Sequence, residues 1–158
     1  METADTFSII QITDPKKIAI CTGMMQTSDP WTTYQMDYAH CLKAFDGPSK
    51  EIYVLEDKDG IVGFVILQIS GTFKGYVQTI CVSEFHRGKG LGKKMLQFCE
   101  DRILKISPNI FICVSSFNDR AIKLYHEFGF KLVGELKDFL KQGYTELLFR
   151  KTFGPILG

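Results

Sequence analysis

The sequence predicts an α+β domain, and three observations carry that prediction. Short β-branched and aromatic runs, such as Ile61–Leu67, Tyr76–Val82 and Ile110–Val114, have strand length and sit between turn-forming residues. Longer stretches with helical spacing and cap signals stand between them, Leu91–Lys105 above all. The chain has 158 residues, 45% hydrophobic and 23% charged, with no linker, repeat or low-complexity segment, so residues 1–158 read as a single domain.

In chain order, Phe7–Ile12 alternates weakly and reads as a strand. Asp14-Pro15 starts a helix, Asp14 as N-cap and Pro15 at the first helical position, which covers Lys16 to about Met24. Thr27–Trp31 is a break, after which Thr32 or Thr33 caps a second helix through Phe45, with Met36, Ala39, His40, Lys43 and Ala44 at helical spacing. Glu51–Leu55 and Ile61–Ile69 flank Asp57-Lys58-Asp59-Gly60, a hairpin signal because Asp and Gly tolerate positive φ. Tyr76–Val82 follows Gly71 and Gly75 as the next strand. A glycine-rich turn then leads into the amphipathic helix Leu91–Lys105, with Leu91, Met95, Phe98, Cys99, Ile103 and Ile106 along one face. Ile110–Val114 is too short and β-branched for a helix and reads as a buried strand. Asn118 caps a helix over Asp119–Phe128 that Gly129 ends. Phe130–Val133 and Tyr144–Lys151 close the chain as strands around a loop containing Gly143.

Charge and composition exclude several functions. Nineteen basic against eighteen acidic residues leave a net charge of +1, which gives no electrostatic case for nucleic acid or an anionic membrane. No run approaches the length of a membrane span, and Met1–Asp5 lacks the basic and apolar regions of a leader peptide. The five cysteines, Cys21, Cys41, Cys81, Cys99 and Cys113, form no C-x-x-C pair and read as small buried hydrophobes of a reducing compartment, the cytoplasm. His40, His86 and His126 show no ligand spacing with them, so no metal site is expected.

The chemistry concentrates in Ile80-Cys-Val-Ser-Glu-Phe-His-Arg-Gly-Lys-Gly-Leu-Gly92. A strand runs into a loop with Gly88, Gly90 and Gly92 and then directly into a helix. Free amides at a helix start form an anion site. Lys89, Lys93 and Lys94 stand where the helix dipole disfavours cations, which makes sense if a phosphate or pyrophosphate binds there. The spacing fits neither G-x-x-x-x-G-K-[ST] nor G-x-G-x-x-G.

Arg87-Gly88-Lys89-Gly90-Leu91-Gly92 resembles the [QR]-x-x-G-x-[GA] acyl-CoA loop of the GNAT (Gcn5-related) N-acetyltransferases. Asn118 through Phe130 resembles the same family's N-x-x-A-x-x-L-Y-x-x-x-G-F segment. The resemblance runs from about Ile61 to Val133 and more loosely beyond it. It implies a mixed sheet of six to seven strands splayed between the fourth and fifth, with about four helices. It implies acetyl-CoA as co-substrate and transfer of the acetyl group to a primary amine by direct attack through a tetrahedral intermediate. The acceptor would be a small amine or a protein or peptide N-terminus. The main chain of Ile80, Cys81 and Val82 would hold the pantetheine, and the amides from Gly88 to Lys93, namely Gly88, Lys89, Gly90, Leu91, Gly92 and Lys93, would wrap the pyrophosphate. Arg87 would support the loop, Asn118 would contact the cofactor, and Tyr125 would protonate the departing thiolate.

Within the family the ribosomal-protein alanine N-acetyltransferases look similar through Asp29-Pro30-Trp31, although the glutamate they place on the fifth strand falls here on Cys113. Other candidate bases are Glu84 and His86 at the end of the fourth strand and Asp138 in the loop before Gly143, with a solvated surface position as the alternative for each. Trp31, Tyr34, Tyr38 and Phe139 are candidate walls of the acceptor pocket. The alternative is a non-catalytic CoA-binding sensor or regulatory module, which retention of Tyr125 argues against. The apolar tail Phe153–Gly158 is compatible with packing on its own domain or on a second copy in a homodimer.

Overall fold

The computed structural model describes residues 6–158, so the leader reading on Met1–Asp5 lies outside the described residues. Seven strands form one sheet: β1 (Ser8–Gln11), β2 (Lys50–Asp57), β3 (Gly60–Gln68), β4 (Tyr76–Val82), β5 (Asn109–Ser115), β6 (Lys131–Lys137) and β7 (Thr145–Thr152), in the order β1-β2-β3-β4-β5-β7-β6. Every neighbouring pair is antiparallel except β4 and β5, which are parallel and pair only at Tyr76 with Phe111 and Val77 with Ile112. Beyond Val77 the two strands part. The sheet is therefore mixed, seven-stranded and splayed at its middle.

Four helices cover it. α1 (Pro15–Gln26) and α2 (Tyr38–Lys43) enclose a core of Ile12, Met25, Phe45, Val54, Phe64 and Ile66 on one face. α3 (Leu91–Ile103) and α4 (Asp119–Phe128) bury Leu55, Val65, Leu67, Leu96, Ile112 and Phe149 on the other. β2 alternates between these two cores from Ile52 to Leu55, and β3 does so from Phe64 to Leu67, with a bulge at Val62 that shifts the alternation before it.

Gln78 is an extra residue in β4, because Ile66 pairs with Thr79 and Leu67 with Val77. The bulge reverses the alternation, so Val77 joins the α3 core while Cys81 joins the α1 core.

Local chemistry explains most boundaries. The Asp14 carboxylate accepts the Lys16 amide at 2.9 Å, and Pro15 opens α1. The hairpin turn closes as Asp57 accepts the amides of Asp59 and Gly60 at 2.8 and 3.1 Å. The Asn118 side chain accepts from Ala121, and Gly129 ends α4 with a φ of 104°.

The long second helix is not formed. The hydroxyls of Thr32 and Thr33 are spent on the Asp29 carboxylate instead of capping, and the chain winds through successive turns to Gln35, at a φ of 56°. Asp37 caps the short α2 by accepting the His40 amide at 2.8 Å. A single 3-10 turn over Glu84–His86, unforeseen in the sequence, separates β4 from the glycine loop.

Candidate active site

The gap between β4 and β5 opens into a cleft of about 900 Å³, the size of a cofactor site. Its floor is the point where the strands diverge. Gly75 sits there with a φ of 93°, and a Cβ on it would stand 2.6 Å from the Asn109 carbonyl, so only glycine permits the approach. Past Val77, no strand among the described residues pairs with the cleft-side edge of β4. Ile80, Cys81 and Val82 line the cleft, and the Cys81 thiol lies 3.8 Å from the Ser28 hydroxyl.

At one end lies the start of α3. Gly90 is its N-cap at a φ of 76°, no side chain caps it, and no acid stands in its first turn. Gly88 is also left-handed, at 80°, with open space where a side chain would be. Arg87, Gly88, Gly90, Leu91, Gly92 and Lys93 all line the cleft there. An uncapped helix start beside a two-glycine loop fits a pyrophosphate. Gly92 has a different duty from the other two: a Cβ on it would meet Leu124 at 3.1 Å, so it lets α3 pack on α4.

Of the three lysines, only Lys93 reaches the lining. Lys89 is exposed and outside the cleft, and Lys94 lies over the Phe7 ring at 5.4 Å. Arg120, in the first turn of α4, lines the cleft and supplies a cation that the sequence reading missed.

Tyr125 lines the cleft from α4 with its ring buried against Phe130 and Phe149, at 5.9 and 6.5 Å between centroids. Burial drives its phenol above the ordinary tyrosine range, so it stays protonated at neutral pH. Asn118 lines the cleft too, and one side chain serves as both cap and wall.

The candidate bases separate. Glu84 is exposed and outside the lining, so the structure does not bring it to the reaction space. Asp138 is a turn residue whose carboxylate accepts the Gly143 amide at 2.6 Å. His86 lines the cleft, its Nε2 3.4 Å from Asp57. Cys113 lines it as well, with its thiol pushed up mainly by burial.

The acidic residue that the cleft does contain on its β5–β7 wall is Glu146, which the sequence reading passed over. Trp31, Tyr34 and Phe139 line the same cleft, whereas Tyr38 does not.

An uncapped helix start, an unpaired strand edge and a parted parallel pair meet in this one cleft. The acetyltransferase (GNAT) family profile matches residues 17–130, and the chain belongs to that family.

The spermine/spermidine N(1)-acetyltransferase of Bacillus subtilis (strain 168) is 39% identical over 57 residues, which span 35% of this chain and 38% of that protein. Solved structures share the fold, among them two acetyltransferases. The ribosomal-protein-S18-alanine N-acetyltransferase from Escherichia coli superposes with a TM-score of 0.74 at 16% identity, over 95% of this chain and 96% of the other. A GNAT family acetyltransferase from Elizabethkingia anophelis with acetyl-CoA bound gives 0.69 at 16% identity, over 93% and 98%.

Proposed function

We propose that this protein transfers the acetyl group of acetyl-CoA to a primary amine by direct attack through a tetrahedral intermediate. The observation that carries the reading is the unpaired edge of β4 running from the floor of the cleft toward the uncapped start of α3. The edge offers main-chain groups to the amide-bearing pantetheine arm, and the helix start offers amides to its pyrophosphate. Arg87, Lys93 and Arg120 supply local positive charge in a chain with almost no net charge.

A main-chain N–H among Ile80, Cys81 and Val82 polarises the thioester carbonyl and stabilises the oxyanion, an effect worth about 3 kcal/mol for one donor. As the C–S bond breaks, the protonated Tyr125 phenol donates to the sulfur. The fragmentary relative acts on spermine and spermidine, which agrees with an amine acceptor. The protein works as a cytoplasmic enzyme in this reading, and no helix among the described residues is long and apolar enough to cross a membrane.

The test is thiol release from acetyl-CoA by the purified protein against small amines and short peptides with varied N-termini. Amine-dependent release is the expected result. Tight acetyl-CoA binding with no release against either pool would instead identify a CoA-binding module.

A further inference from the structure

The β5–β7 wall buries a carboxylate that the cofactor chemistry does not use. Glu146 stands opposite Ser115 in the β5–β7 register and is only 5% exposed, yet it lines the cleft. Its Oε2 accepts the Tyr34 hydroxyl at 2.5 Å, and that hydroxyl is 2.7 Å from Ser115 Oγ. Among the described residues no protein donor reaches Oε1, and no lysine, arginine or histidine pairs with this carboxylate. Oε1 is therefore left open toward the cleft, where a cationic donor from outside the chain can reach it.

The surroundings narrow that cation. Tyr76 and Cys113 face Glu146 from β4 and β5, and burial holds both in their neutral forms. Tyr34 and Tyr144 meet edge to face at 5.1 Å. Lys141 is the nearby protein cation, and its Nζ is spent on the Tyr34 carbonyl at 2.8 Å and on Gln35 at 3.4 Å. It thereby straps the β6–β7 loop, which carries Phe139 and Leu140, to the segment carrying Trp31. The other acid on the lining, Asp29, is engaged by Thr32 and Thr33 and feels Arg87. This end of the cleft thus offers one unpaired carboxylate, an apolar and aromatic surround, and a fixed positive charge.

We propose that Glu146, oriented by Tyr34 and Ser115, receives the ammonium of the acceptor and takes its proton, selecting a primary amine with one positive charge on an apolar or aromatic body. The proposal deepens the acetyltransferase reading and rests on it. The ammonium gives one proton to the Glu146 carboxylate, and the neutral amine attacks the carbonyl carbon. The C–N bond forms, the C–S bond breaks, and the sulfur takes the Tyr125 proton. The second nitrogen proton restores Tyr125, and Glu146 returns its proton to solvent, so the products are the amide, CoA thiol and one released proton. Tyr34 is a positioning residue.

The test measures kcat/KM for 2-phenylethylamine and spermidine, by thiol release, across pH in the parent protein, Glu146→Gln and Tyr34→Phe, with acetyl-CoA affinity measured alongside. The parent should favour 2-phenylethylamine by roughly tenfold or more, since a second ammonium has no partner and faces Lys141. Glu146→Gln should lose about 100-fold or more while binding acetyl-CoA as before, and its residual rate should climb toward the amine's own pKa near 10.4. Tyr34→Phe should lower kcat more than it raises KM.

A folded Glu146→Gln with parent rates and pH profile overturns the role of Glu146 and leaves the acetyltransferase reading intact. Preference for spermidine in the parent protein, a result independent of any variant, overturns the single-charge selection. No thiol release from the parent with any amine overturns both the proposal and the reading beneath it.

Discussion

Tyr125 on α4 and Gly90 at the start of α3 stand at two points of the cleft where single substitutions test the proposed acetyl transfer. Burial that raises a phenol also makes it a poorer spontaneous acid, so in the proposed role Tyr125 would donate only as negative charge develops on the sulfur. Tyr125→Phe is expected to lower kcat by about 100-fold while leaving acetyl-CoA affinity within about twofold, checked by steady-state kinetics and direct binding. Because the raised phenol stays protonated well above neutrality, the parent should show no alkaline loss of activity attributable to Tyr125 below about pH 10. Gly90 holds a left-handed N-cap with nothing around a would-be Cβ, so Gly90→Ala meets conformational strain without a clash. That strain costs about 1–2 kcal/mol and tilts the free amides of α3. Acetyl-CoA binding should weaken roughly tenfold in this variant, which calorimetric titration would register.

Capping and turn chemistry made the elements legible wherever the deciding residues are neighbours in the chain. Asp14-Pro15, Asp57 through Gly60, and Asn118 with Gly129 each settle a boundary within a few positions. The second helix escaped the same reasoning because Thr32 and Thr33 had two available duties, and the Asp29 carboxylate took both hydroxyls. The cofactor half of the proposed site could be read as cleft lining for the same reason as the caps, since Ile80 through Lys93 is one continuous segment, although Lys89 falls outside the lining. The acceptor half was not, because Tyr34 meets Ser115 and Glu146 across 81 and 112 positions, which local spacing cannot join. The pair that moors α3 to β2 was hidden likewise. Arg102 reaches Glu51 with its Nε at 2.7 Å and Nη2 at 2.8 Å, and this bidentate contact holds the Glu51 carboxyl below the usual range. A depressed carboxyl contributes stability that is present above its unfolded pKa near 4.3 and lost as pH falls through the folded value. Thermal melts should therefore show Glu51→Gln about 2 kcal/mol less stable than the parent at pH 7, with the gap closing between about pH 5 and 3. A gap that persists unchanged at pH 3 would assign the loss to packing.

The sheet divides into β1–β4 and β5–β7–β6, and among the described residues the two parts pair as strands only at Tyr76–Phe111 and Val77–Ile112. Helix packing does the remaining work, α3 against both β4 and β5 and Gly92 against Leu124 of α4. A sheet that forgoes strand pairing at its centre leaves exposed amides and carbonyls that a bound ligand can satisfy. In the proposed reading, binding of acetyl-CoA would complete the sheet as well as fill a pocket, and its stabilisation should be localised. At 100 times its Kd the ligand adds about 2.7 kcal/mol, which corresponds to roughly 5–10 °C in melting temperature for a domain of this size. Hydrogen exchange followed residue by residue should show the extra protection concentrated at Ile80 and Val82, on the β4 edge that β5 leaves unpaired, and at Leu91–Lys93, at the uncapped start of α3. β1 and β6, already paired along their lengths and remote from the cleft lining, should change little. Protection spread evenly over β1, β6 and the cleft would mean that the ligand stabilises the fold only globally. The main chain of β4 would then lose its assignment as the surface that holds the pantetheine, whatever the rate of acetyl transfer.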